Sequence, residues 1–501
     1  MLRALYSGAT GMKTLAQGMQ AVGNNLANVN TVGFKQQQAL FEDLMSQYAG
    51  TGNSASTSIS QVGLGTRLTD IRTVHGQGPY ESGTDITDLS INGKGFFQVS
   101  LDGKTHYTRA GNFRFDKDGS LVDPNGFVLS GRAITDGVEG AAGPISLPPG
   151  TGGRNVMPAK ATTSITALNN LGSGDRSSDA ANPYFSLLSK WNGTAESPLG
   201  DSAYTYKQSI KVYDATGNAH DVTIYFDGAG QGGGNKYFEF VVGMDPAHDG
   251  SGMAGTSAAG LLMSGTLTFN SSGQLVNMSA YTPSGADATN LSNWAPASFG
   301  ADGLPQFTAT FAGGGGTQSV GLDLGLSSST GAWTAGAGSP AAVGSNAASL
   351  MGMAGATLAA VSTTAYGGSS SEIRTKQDGY AQGFLAGIDI SSDGIISGRY
   401  SNGQVDDLYR ITLYRFTSED GLRREGMNHF SATKESGVAE EGLPDTENYG
   451  AVAAKSLEQS NVSMEREFVN MIIYQRGFQT NSKSIMTADS MIQKALELKR
   501  T

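Results

Sequence analysis

The chain has 501 residues, a formal net charge of −11 and no cysteine. The missing cysteines exclude disulfides, thiolate metal sites and thiol nucleophiles, and the acidic balance argues against general nucleic-acid binding, which needs a basic face. Charged residues are 15% of the chain and glycines number 71. Against about 25% charged and about 7% glycine in ordinary domains, this is the composition of a turn-rich β protein with a Ser/Thr/Gly/Ala surface. No run of 18 apolar residues occurs, so no membrane insertion is expected. The opening MLRALYSGATGMK lacks the apolar core of a secretory signal peptide, and an exported chain would need a route that leaves its N-terminus uncleaved.

Both ends carry a narrow apolar stripe. Leu5, Met12, Leu15, Met19, Val22, Leu26 and Val29 advance by seven and then alternately by three and four. At the other end Leu457, Met464, Met471, Phe478, Ile485 and Ile492 recur every seven residues. A second seam position there holds Phe468 and Leu496 among the polar Asn461, Gln475, Ser482 and Asp489. A 3.5-residue period marks a coiled-coil seam, which needs a partner, and the economical partner is the other end of the same chain. The expected arrangement is multidomain: residues 1–33 and 456–501 form paired α-helical coiled-coil termini around nested all-β domains. Gly8, Gly11, Gly18 and Gly23 each cost roughly 1 kcal/mol in a helix, so they read as close-contact points. Two core helices of an ordinary monomer would give the same pattern.

Residues 34–72 hold Phe34, Leu40, Phe41, Leu44, Met45 and Tyr48, then a Gly/Ser/Thr run; the reading is a connecting helix and an extended arm. From 73 to 150 the period becomes two, with Asp102-Gly103, Asp118-Gly119 and Asn125-Gly126 between short apolar segments. Asp-Gly and Asn-Gly supply the positive φ of hairpin turns. The same style returns at Asp393-Gly394 and Asn402-Gly403, so 73–150 with 367–455 forms one inner β domain. Residues 151–366 form an outer β domain, with strands near 204–213, 222–226, 237–242 and 265–269. From Tyr237 to Ile373 there is no Lys or Arg. Strand-like spacing of Leu261, Leu267, Phe269, Phe307, Phe311, Leu322 and Leu324 favours a fold there over a linker.

Chemical motifs are incomplete. Gly228, Gly230 and Gly233 match a dinucleotide fingerprint formally, but a strand follows at Tyr237 where a helix N-terminus is required. The histidines are scattered, without a zinc spacing, and Asp116-Lys117-Asp118-Gly119 lacks the remaining ligands of a calcium loop. No catalytic, cofactor or metal site is expected.

One family shares the end motifs. The stretch Asn24-Asn25-Leu26-Ala27-Asn28-Val29-Asn30-Thr31-Val32-Gly33-Phe34-Lys35 resembles the N-terminal signature of bacterial flagellar rod and hook proteins. Ser460-Asn461-Val462-Ser463 with 468–476 resembles its C-terminal counterpart, and 206–217 is similar to the outer β domain of hook members. The resemblance implies a helical homopolymer: a curved hollow tube, a universal joint between rod and filament that also serves as an export channel. It further implies distal rod protein, hook cap and hook–filament junction proteins as neighbours, and passage through the flagellar export apparatus to the cell exterior. A distal rod protein of the same family and a non-flagellar surface fibre or adhesin are the alternatives.

Overall fold

The computed structural model describes residues 2–44, 47–48, 61–135, 137–147, 155–172, 182–285, 287 and 290–500. Long helices occupy the two ends, Leu2–Ala27 and Met464–Arg500, and the chain between them is mostly β. It forms two compact units, residues 1–155 with 385–501, and residues 156–384.

In the first unit the two arms interleave. Strands Gly383–Ile390, Ile395–Tyr400, Val405–Ile411, Val128–Thr135, Phe96–Leu101, Lys104–Thr108, His429–Ser431 and Arg423–Gly426 lie side by side in that order. Every neighbouring pair is antiparallel. Asp102 and Gly103 both take positive φ, +49° and +78°, as a two-residue hairpin turn requires. Leu89, Phe97, Val99 and Leu129 from the first arm pack with Ile396, Ile411 and Leu413 from the second in one buried cluster. Neither arm can complete this core alone.

The second unit packs two sheets. The larger runs Tyr206–Tyr213, Ala219–Gly232, Asn235–Met244, Leu261–Phe269, Leu275–Pro283 and Trp294–Pro296; the smaller runs Ser298–Phe299, Pro305–Thr310, Thr317–Asp323, Ser164–Asn170 and Ser371–Gln377. Ile210, Ile224, Phe240, Leu267 and Met278 from the larger sheet meet Ile165, Phe307, Val320 and Leu322 from the smaller in a common core. The segment without Lys or Arg supplies strands to both sheets. Gly233 and Gly234 form a positive-φ turn joining two paired strands, so the formal fingerprint is a hairpin.

Two local readings change. The segment after the N-terminal helix is not a connecting helix: Gln37–Asp43 is a strand, antiparallel to Thr66–Thr73. Its first residue is held extended by Asn25, whose side chain donates to the Gln37 carbonyl at 2.7 Å and accepts its N–H at 2.8 Å. The second unit also extends beyond residue 366. Ser371–Gln377 pairs with Ser164–Asn170 within it.

Phe240 is fully buried between the two sheets. Phe240→Ala is expected to destabilise the second unit by about 3–5 kcal/mol, read as a lower denaturant midpoint for the transition reported by its tryptophans.

Candidate assembly site at the two chain ends

Local residues set the end of the N-terminal helix and the start of the C-terminal one. The N-terminal helix ends at Ala27, inside an Asn-rich segment whose side chains compete for backbone groups. Asn28 donates to the Asn24 carbonyl at 2.9 Å, and Thr31 donates to the Asn28 side chain. Gly33 follows with φ +69°, and a Cβ there would lie 2.5 Å from the Ala110 nitrogen. The C-terminal helix starts at Met464, preceded by Ser463, with Glu465 and Glu467 in its first turn, where carboxylates suit the helix dipole.

The ends of both helices nearest the β unit are tied to one buried knot. The Glu458 side chain is fully buried and takes Lys35 Nζ on Oε1 and Arg109 Nη1 on Oε2, the latter at 3.2 Å. Gly78 N–H also donates to Oε1 at 2.9 Å, and Lys35 Nζ donates to the Gly76 carbonyl at 3.0 Å. Burial pushes the Lys35 ammonium below its usual range, against the opposing pull of Glu458. Beside the knot, Asn461 accepts the Gln36 N–H at 2.7 Å and donates to the Val74 and Gly76 carbonyls, both at 2.8 Å. Phe34 is buried beneath the Arg424 guanidinium, 4.8 Å from its ring centre.

From this knot the helices run antiparallel, with glycines where they approach. A Cβ on Gly8 would lie 2.9 Å from Ile485 Cγ1, one on Gly11 2.7 Å from Asn481 Nδ2, and one on Gly18 3.1 Å from Tyr474 Cε2. On the opposite helix a Cβ on Gly477 would lie 2.9 Å from Leu15 Cδ1. Gly23 meets nothing within 4 Å. Phe41 of the hairpin strand packs edge-on against Tyr474, ring centres 6.0 Å apart, so hairpin and both helices meet at Gly18.

The residues singled out by periodicity fall into three groups. Val22 is buried, and Leu5, Met12, Leu15, Met19, Leu26, Met471, Ile485 and Ile492 are half-buried. Val29 lies beyond the end of its helix, and Leu457 lies in the strand Ser456–Glu458, paired with Tyr80–Ser82. Met464, Phe468, Phe478 and Leu496 are exposed, Phe468 by 45%. The positions that alternate with 471, 478 and 485 against the N-terminal helix are Glu467, Tyr474, Asn481 and Ala488, all buried or half-buried. Phe468, Gln475 and Ser482 are not in that set. Asn461 precedes the helix and acts as a backbone clamp. Asn24, Asn25, Asn28, Gly33 and Phe34 of the shared motif take the roles described above, while Leu26 is half-buried and Ala27 closes the helix.

Periodicity missed Lys35, Arg109 and Glu458. Lys35 closes the N-terminal signature quoted above, while the only local signal of Arg109 and Glu458 is their charge. Among the described residues no group of His, Cys, Asp and Glu is placed to hold a metal ion, and no helix is long and apolar enough to cross a membrane.

Family models cover most of this architecture: "Flagella basal body rod protein" over 5–35, "Flagellar hook protein FlgE/F/G D1 domain" over 90–166, "Flagellar basal body protein FlaE D2 domain" over 188–380 and "Flagellar basal body rod FlgEFG protein C-terminal" over 453–498. Together they define an axial protein of the bacterial flagellum. The flagellar hook protein FlgE of Treponema pallidum is 31% identical over the whole of both chains. That of Escherichia coli is 30% identical over 99% of this chain and all of its own. A solved flagellar hook protein FlgE2 from Helicobacter pylori aligns over 76% of this chain and all of its own, at TM-score 0.44 and 14% identity. The chain belongs to the flagellar hook protein FlgE family, a family of structural proteins and not of enzymes.

Two measurements check the knot. Glu458→Gln leaves two buried cations without a counter-charge and is expected to cost about 3–5 kcal/mol, seen as a lower melting temperature of the first unit. His75 packs against Phe96 and Phe430, and burial, aided by Lys35, lowers its pKa to about 4. The native state therefore holds this imidazole neutral while the unfolded chain protonates near its ordinary value, about 6.5. Its contribution is full above that value and is lost as pH falls towards about 4, a change on the order of 3 kcal/mol. Denaturant titrations across this window should show the slope, and His75→Phe should flatten it.

Proposed function

We propose that the chain is the subunit of the flagellar hook and polymerises through its paired terminal helices into a curved hollow tube. The observation that carries this reading is a second apolar face on the C-terminal helix. Phe468, Val469, Ile472 and Ile473 are all exposed, Ile473 by 56%. On a helix of 3.6 residues per turn, Phe468, Val469 and Ile472 lie on the side away from Tyr474 and the N-terminal helix. A helix with apolar residues on two sides needs two partners. The intramolecular pair supplies one, and neighbouring copies supply the other.

In this reading the terminal helices pack as a coiled-coil layer lining the tube, residues 1–33 with 456–501. Repetition of a contact that does not close on itself gives a helical filament. Glycine-rich helices held mainly by burial gain order from neighbouring copies, so much of their stability arrives with polymerisation. The tube joins distal rod to filament as a universal joint and channel. Distal rod protein, hook cap and hook–filament junction proteins are its neighbours, and the flagellar export apparatus delivers it to the exterior.

Phe468→Asp is expected to abolish polymerisation while changing monomer stability by no more than about 0.5 kcal/mol, because the side chain is exposed there. Sedimentation and electron microscopy report the first effect and thermal melting the second. A variant that still forms tubes would contradict the proposed interface.

A further inference from the structure

We infer that residues 182–193 form a strap over one face of the larger sheet of the second unit, closed while a buried acid beneath it keeps its proton and opened as that acid ionises. The device lies within the second unit and needs no neighbouring copy. Four polar side chains cross four neighbouring strands in one row. Asp227 lies opposite Glu239, Glu239 opposite Thr266, and Thr266 opposite Ser279; directly opposed residues of antiparallel strands share a face. None of the four is more than 5% exposed. Glu239 Oε2 accepts the Leu187 N–H at 2.8 Å, but Oε1 and the Ser279 hydroxyl meet no hydrogen-bond partner among the described residues. Two carboxylates opposed across a strand pair in a dry site do not both keep their charge. Burial pushes the Glu239 carboxyl well above the usual carboxylate range; the Leu187 N–H opposes this, Asp227 adds to it, and the exposed Lys190 and the Ser186 N–H oppose it more weakly. The remaining titratable groups of the surrounding cluster are Tyr184, Tyr204, Tyr225, Tyr237 and Tyr281, which supply no cation.

The strap belongs to neither sheet. Its helix, Ser186–Lys190, has five residues, too few to stand alone in water. Phe185, Leu187, Leu188 and Trp191 are buried in one cluster with Tyr237, Val241 and Tyr281 of the sheet, and Trp191 lies over Gly243, where there is no room for a Cβ. The Tyr184 carbonyl accepts the Thr266 hydroxyl at 3.1 Å, Trp191 Nε1 donates to the Ala259 carbonyl at 3.0 Å, and the Gly193 N–H donates to the Ser257 carbonyl at 2.9 Å. Two of the strap's ties, those to Glu239 and Thr266, therefore end on the buried row. Lifting the strap brings water to Glu239 without parting any pair of strands. Once hydrated, Glu239 ionises near the ordinary glutamate value, about 4.3. Between that value and the raised one of the closed state, opening releases one proton, so the opening constant grows about tenfold per pH unit. Closure is fullest in acid and weakens as pH rises, the reverse of the His75 effect in the first unit.

Hydrogen exchange of the full-length chain, followed by peptide mass spectrometry and corrected for the intrinsic rate at each pH, measures the opening directly. From about pH 5 upward, protection of residues 184–193 is expected to fall by up to about tenfold per pH unit. It should stay level in Glu239→Gln, which keeps the shape of the side chain and does not ionise. Strands Pro305–Thr310 and Thr317–Asp323 of the smaller sheet should keep their protection throughout. Asp227→Asn removes the charge that disfavours ionisation of Glu239, so its profile should level off at a lower pH than that of the unsubstituted chain. Protection of 184–193 that does not vary with pH, an equal fall in Glu239→Gln, or an Asp227→Asn profile identical to the original each overturns the inference. An equal fall in the two smaller-sheet strands would mean that the whole unit unfolds in place of the strap, and overturns it as well.

Discussion

A fully buried carboxylate, Glu458, holds this architecture together. It draws Lys35 and Arg109 from the first arm and sits three residues before Asn461, which fastens the same arm through three backbone hydrogen bonds. A buried ion cluster of this kind adds little net stability, but breaking it leaves charge stranded. Its effect is to fix where the two arms meet. The N-terminal helix runs towards the knot and ends eight residues before Lys35; the C-terminal helix leaves from it six residues after Glu458. Two helices rooted at one point, one entering and one leaving, lie side by side only in opposite directions. Their antiparallel register follows from the knot.

The glycines follow from the same constraint. Gly8, Gly11 and Gly18 leave room for Ile485, Asn481 and Tyr474, and Gly477 for Leu15. They weaken each helix in isolation, where glycine is the poorest ordinary helix former after proline. Close approach repays this only when the helices are paired. Even then the apolar face at Phe468, Val469 and Ile472 stays open. The β units need no such help: each encloses its own core, one built from interleaved arms and the other from two packed sheets.

Much of this was legible in the sequence because the signals were local. Asp102-Gly103 announced its hairpin through the positive φ both residues take, and the seven-residue recurrence of Met471, Phe478 and Ile485 announced a helix with a preferred face. The rest depended on partners distant in the chain. A 3.5-residue period leaves open whether the alternate seam position falls three or four residues after each repeat. Phe468 and Leu496 favoured four on hydrophobicity; the glycines of the facing helix accept Tyr474 and Asn481, three residues on. Leu457 kept the period but entered a strand, because its neighbour Glu458 is drawn into the knot. The pairing of Lys35 with Glu458 spans 423 residues and leaves no periodic trace, and Gln37 becomes strand because Asn25 satisfies its backbone.

The central claim is that the face of the C-terminal helix left open by the intramolecular pair is covered by other copies. Methionine oxidation measures this directly, because Met464, Met486 and Met491 are exposed on that helix while Met427 is exposed on a turn of the β unit. Mild peroxide treatment followed by peptide mass spectrometry compares monomer with assembled tube. The account predicts that the three helix methionines oxidise readily in the monomer and are strongly protected in the tube, whatever happens at Met427. Equal oxidation of Met464, Met486 and Met491 in monomer and tube would contradict it.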